Sequence, residues 1–211
     1  MTALSKRGRM TAALIAMIAL VGLAVQFNAV MGRQGSAAVA AWSVLRYFTV
    51  ITNLLVAAIF VRVALGRSAA RPLVLGGVTL TIILVGVVYG LLLTGLRELS
   101  GGDEFANLVL HKVVPVLVPI WWLTFAPKGG LGWRDPWVWA LLPLIYFAYG
   151  LWRGSLDGAY PYPFMDLAKL GWGRTLAHAA GMAAGFLAAG FGLVWLDGRL
   201  ARIRLLDPSR A

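Results

Sequence analysis

Residues 72–96 read PLVLGGVTLTIILVGVVYGLLLTGL, twenty-five positions between Arg71 and Arg97 without one charged side chain. A helix rises 1.5 Å per residue, so about 20 such residues cross the ~30 Å hydrocarbon core of a bilayer. The stretch therefore predicts a transmembrane helix. Five more stretches qualify on the same ground, at approximately 11–32, 42–65, 105–126, 136–153 and 174–196. The expected fold is all-α: a polytopic six-helix bundle forming one domain over 1–211.

Composition points the same way. The 211 residues are 60% hydrophobic and only 13% charged, and mean hydropathy is +0.81, whereas a soluble domain carries about 25% charged residues. The nineteen Lys and Arg fall between apolar runs rather than forming a recognition face, which argues against a nucleic-acid partner. Cysteine is absent, which excludes disulfides, thiol catalysis and Cys-ligated metals. Lys6, Arg7 and Arg9 before an apolar run resemble a secretory signal. That run reaches Met31, longer than a signal core, and reads as a retained first span.

Connector charge sets the expected orientation. One side holds Lys6, Arg7, Arg9, Arg67, Arg71, Lys128, Arg134, Arg199, Arg202, Arg204 and Arg210. The other holds Arg33, Arg97 and Lys169, offset by Glu98, Asp103, Glu104, Asp157 and Asp166. The positive-inside rule predicts both termini in the cytoplasm, and six spans give the same parity. In that orientation Gln26, Asn28, Arg46, Thr49, Thr52, Asn53, Tyr89, Asn107, His111, Lys112, Tyr149, Arg153 and His178 fall in the outer half. The inner half holds little beyond Thr79, Thr81, Thr124 and Arg62. A transport path needs polar groups at both depths, so a cavity opening outward or into the outer leaflet is expected.

Thr49 and His111 each lie about seven residues from that face, roughly 10 Å deep. A hydroxyl and an imidazole at one depth fit a nucleophile and its base. On a continuous helix Arg46, Thr49 and Asn53 share a face. Asn107, His111 and Pro115 form another stripe, and Pro115 predicts a bend just below the imidazole. The blander readings are that Thr49 bonds its own backbone one turn earlier and that His111 bonds a neighbouring helix. His111 and His178 facing each other would hold a haem. Gly181 and Gly185, with Ala177 and Ala189, predict close helix packing on the sixth span. Trp121, Trp122, Trp133, Trp137 and Trp139 read as an interfacial belt.

The segment Tyr47-Phe48-Thr49 with Asn53, the Asn107-x-x-x-His111 step and Tyr162-Pro163-Phe164 resemble, in that order, the androgen-induced protein family of six-helix membrane proteins. Characterised animal members are threonine hydrolases of fatty acid esters of hydroxy fatty acids. This chain is more similar to the bacterial branch of Pro-rich six-span proteins, which implies a bacterial inner (plasma) membrane. The resemblance covers almost the whole chain in helix number and loop pattern. It implies Thr49 as nucleophile and His111 as catalytic histidine. Leu108 stands where the animal proteins have a second histidine, and Asn53 where they have an apolar residue.

The expected activity is hydrolysis of a lipid ester by the Thr49/His111 dyad, without a cofactor or metal. Arg46, Asn53, Tyr89, Asn107 and His178 are candidates for binding substrate or the oxyanion. The expected partners are the lipid ester and membrane lipids. The competing reading is a non-enzymatic lipid- or cofactor-binding membrane protein using the same outer-half pocket.

Overall fold

The computed structural model describes residues 4–66, 71–96 and 98–206; Arg67, Arg97 and Arg210, counted above among the connector cations, lie outside them. Among the described residues there is no strand. The helices are α1 (Lys6–Gln34), α2 (Ala37–Val44), α3 (Phe48–Ala64), α4 (Pro72–Val88), α5 (Gly102–Leu108), α6 (Val114–Phe125), α7 (Asp135–Asp157) and α8 (Leu167–Leu206). π-helical turns extend α4 through Tyr89–Leu93 and join α5 to α6 through Val109–Val113.

Four helical stretches are long and apolar enough to cross a membrane: Lys6–Gln34, Pro72–Leu93, Gly102–Phe125 and Leu167–Ile203. The α2–α3 pair makes a fifth if it is one span, but it is bent by 96°. The continuous helix expected over 42–65 is thus corrected to two helices broken at Leu45–Tyr47. At 23 residues α7 has the length, yet its Trp, Tyr and Arg residues lower its apolarity and it is not among the four.

The core lies where α1, α3, α4 and α6 meet, around Val56, Phe60, Ile82, Val114, Val118 and Trp121. Phe60 and Trp121 rings pack edge-on at 4.9 Å. Ser5 caps α1 by accepting from Gly8 N–H at 3.1 Å. Small residues set the closest approach: a Cβ on Gly22 would stand 2.7 Å from Val109, so α1 seats directly on the π turn. Apolar side chains also point outward, among them Leu14, Met17, Ile120, Leu141 and Ile145, as a lipid-facing surface requires.

Two sequence expectations fail in the packing. Trp121, Trp122 and Trp139 are buried rather than belted; the indoles of Trp121 and Trp139 donate to the Gly8 and Leu73 carbonyls. Trp133 and Trp137 are exposed. Gly181 and Gly185 face open space, with nothing within 4 Å of a built Cβ. They do not mediate close packing within this chain, because α8 turns that stripe away from the bundle.

Candidate active site

The elbow between α2 and α3 is built by α7. Helix α2 ends at Val44, and its last carbonyls need partners. Arg153 donates to the Trp42 carbonyl at 2.7 Å, Tyr149 to Leu45 at 3.2 Å and Tyr146 to Arg46 at 2.8 Å. Arg153 is 0% exposed, lies 3.6 Å over the Trp42 ring and donates to the Tyr149 hydroxyl. A guanidinium suits a helix C-terminus, where the dipole is negative. Arg46 pairs with Asp157 and donates to the Ala159 carbonyl. This corrects the helical-face reading of Arg46: it precedes α3, so its i, i+3 relation to Thr49 is not helical, and its guanidinium is engaged at the end of α7.

Past the elbow, Thr49 occupies the first turn of α3 and is 5% exposed. Its Oγ1 lies 3.0 Å from His111 Nε2. The blander local reading, Thr49 bonding a carbonyl one turn earlier, does not fit, because no helical turn precedes it. His111 Nδ1 lies 3.3 Å from the Asn107 carbonyl. A carbonyl only accepts, so Nδ1 carries the proton of the neutral ring and Nε2 is left to accept from Thr49.

The π turn explains how His111 is held. The Val114 N–H bonds Val109, five residues back, instead of Leu110. That frees the Leu110 carbonyl, and Asn53 fills it at 3.2 Å while also donating to the Thr49 carbonyl at 2.8 Å. Pro115, lacking an N–H, also leaves the His111 carbonyl without its helical donor. The expected bend is realised as this widened turn at the imidazole itself. One amide thus ties the helix of the hydroxyl to the helix of the ring.

The remaining candidates divide. Tyr89 stacks on His111 with centroids 4.4 Å apart, and its hydroxyl accepts from Asn107 Nδ2 at 2.6 Å. Asn107 therefore orients the ring through its carbonyl, while its side chain fixes Tyr89. Asn53 is fully buried and acts as a tether, with both amide hydrogens directed at backbone carbonyls. His178 is exposed and contacts the Phe164 carbonyl through Nδ1 at 3.3 Å, so it is corrected out of the cluster. A haem on His111 is disfavoured because both ring nitrogens are engaged. No grouping of three or more potential metal ligands occurs among the described residues.

Sequence reasoning missed Tyr162 and Tyr146. The connector turn carrying Tyr162 precedes the 3₁₀ segment Pro163–Met165. Its ring stacks on Phe164 at 5.1 Å and meets Tyr47 edge-on at 6.1 Å. Tyr162 lines the same cavity as Thr49 and Tyr146, its ring centroid 6.3 Å from that of Tyr146. Burial pushes the Tyr162 pKa up, so the phenol stays protonated. The Tyr-Pro-Tyr-Pro-Phe run was its available signal: aromatic residues with fixed φ in the one long loop.

Thr49 opens into an apolar cavity holding about 770 Å³ of empty volume with its mouth included. It runs between α4, α7 and α8, past Val85, Pro143, Phe147, Ala183 and Phe186. Tyr162, Tyr146 and Thr49 line its polar end.

The fold and site define an all-helical protein with four or five candidate membrane spans and a buried Thr–His contact at the head of an apolar cavity. Compared with known protein families, with curated proteins and with solved structures, the chain matches none.

Proposed function

We propose that this chain is a membrane-embedded threonine hydrolase that cleaves fatty acyl esters, in keeping with its resemblance to the androgen-induced protein family. The observation that carries the reading is the 3.0 Å contact between Thr49 Oγ1 and His111 Nε2 at one end of an apolar cavity. A threonine hydroxyl is a weak nucleophile at neutral pH and needs a base within about 2.6–3.2 Å. Thr49 Oγ1 attacks the ester carbon as its proton passes to His111 Nε2, and the carbonyl π electrons move onto oxygen. Collapse restores the carbonyl, and the leaving alcohol takes the proton from His111. Water then repeats the sequence on the acyl-threonine and releases the acid. The Asn107 carbonyl holds the Nδ1 proton in place throughout.

The cavity supports a long-chain acyl substrate arriving from the surrounding lipid. In the proposed topology α2–α3 is one broken span and α7 is a further span. That gives six, with both termini cytoplasmic in a bacterial inner membrane. A fluorophosphonate probe on purified protein tests the chemistry. Covalent labelling that disappears in Thr49→Ala is expected. Retention of an acyl lipid with no labelling would instead favour a non-enzymatic lipid-binding protein.

A further inference from the structure

A hydrolase of this kind needs a donor for the oxyanion, and the groups expected to supply it are engaged elsewhere. Arg46 is paired with Asp157 and Ala159, Arg153 holds Trp42 and Tyr149, and Asn53 directs its amide at two carbonyls. Tyr89 stacks on the face of the base. Hydrogen assignment around Thr49 then runs one way. The Asn107 carbonyl fixes a proton on His111 Nδ1, Nε2 accepts from Thr49, and the Thr49 lone pairs are left to receive a donor. Tyr146 directs its own proton at the Arg46 carbonyl. Of the tyrosines that line the cavity with Thr49, that leaves Tyr162 as the one whose proton is not directed at a backbone carbonyl.

Resting on the hydrolase reading, we propose that the Tyr162 hydroxyl is the oxyanion donor of this site. Once Thr49 Oγ1 bonds the acyl carbon, negative charge develops on the carbonyl oxygen two bonds from Oγ1, and the phenol O–H turns to it. The proton stays on Tyr162, and no bond to it breaks. Packing against Phe164, Tyr47 and Tyr146 fixes the ring so that the donor is in position before charge develops. This assigns a task to the long loop between α7 and α8.

The test compares wild type, Thr49→Ala and Tyr162→Phe on p-nitrophenyl octanoate, with fluorophosphonate labelling in parallel. Losing one preorganised oxyanion donor lowers kcat by about 10²–10³-fold. Tyr162→Phe should show that loss with KM nearly unchanged, whereas a loosened pocket would move KM as well. Replacing Tyr162 with 3,5-difluorotyrosine keeps the packing and alters only the acidity of the donor. Its kcat should shift from wild type while the melting temperature stays put. Wild-type kcat in both Tyr162 variants, with Thr49→Ala inactive, overturns the Tyr162 assignment and spares the dyad. Activity that survives in Thr49→Ala removes the hydrolase reading and this assignment with it.

Discussion

If Thr49 and His111 work as one unit, removing either should cost much more in rate than in stability. Their 3.0 Å contact is an interhelical hydrogen bond. Such bonds average about 0.6 kcal/mol and reach about 1.7 kcal/mol in membrane bundles. The Asn53 bonds to the Thr49 and Leu110 carbonyls continue to hold the two helices together in either variant. Removing a general base, by contrast, costs about 10²–10⁴ in rate, and at 1.36 kcal/mol per tenfold that is roughly 2.7–5.4 kcal/mol of barrier. The chemical loss therefore exceeds the structural one by a wide margin. Thr49→Ala, His111→Ala and the double variant should all stay folded, as followed by the fluorescence of the nine tryptophans. Their hydrolysis of p-nitrophenyl octanoate in detergent micelles should fall to similar residual rates, because a nucleophile without its base and a base without its nucleophile fail alike. Thr49→Ser, which keeps the hydroxyl, should retain part of the activity. A double variant whose loss equals the product of the single losses, or a folded Thr49→Ala protein at wild-type rate, refutes the reasoning.

Other outcomes follow from separate parts of the molecule. A reporter fused after residue 211 should behave as cytoplasmic and one near Gly101 as extracytoplasmic; the reverse pattern overturns the proposed topology. Ala183→Phe narrows the cavity below Thr49, so the ratio of octanoate to butyrate ester hydrolysis should fall; an unchanged ratio means the acyl chain lies elsewhere. Asp197 accepts from the Gly129 and Leu131 N–H groups at 2.8 and 3.1 Å. Asp197→Ala strands two donors and should destabilise by about 1–3 kcal/mol without altering the rate per folded molecule. Burial raises the Tyr162 pKa above its unfolded value, so its stabilising contribution is complete below about pH 10 and lost as pH rises further, where the unfolded chain ionises first. The wild-type melting temperature should accordingly fall more steeply above pH 10 than that of Tyr162→Phe.

Long apolar runs such as 72–96 made the helical class legible, since no other backbone satisfies its own hydrogen bonds in lipid. The Thr49–His111 juxtaposition was legible by counting depth, because both residues sit a similar distance along helices from one face. The same counting misassigned Arg46, whose helical relation to Thr49 assumes a continuous helix. The break at Leu45–Tyr47 has no proline or glycine to announce it. It exists because Arg153, Tyr149 and Tyr146, about a hundred residues away, satisfy the carbonyls it exposes. Asn53 was misread for a related reason: its acceptor on Leu110 is free only because the π turn shifts one backbone bond. Pro115 signalled a disturbance in that helix but not its form. Tyr162 was quoted as part of a motif and given no task, since a loop's reach across a bundle is not written in local periodicity.

The elbow also bears on where the second reactant comes from. Helix α3 has 17 residues, about 26 Å at 1.5 Å per residue, against a hydrocarbon layer of ~30 Å. In the proposed topology α3 is the part of the broken α2–α3 span that crosses the layer, and a crossing segment that short draws the headgroup boundary inward around its ends. In the proposed orientation the thinned edge falls at Phe48 and Thr49. Ester cleavage consumes one water per turnover, and water is scarce in lipid. In the proposed mechanism the elbow leaves the acyl-threonine in the first turn of α3, one helical turn from the break at which water would enter and facing the oily channel on its other side.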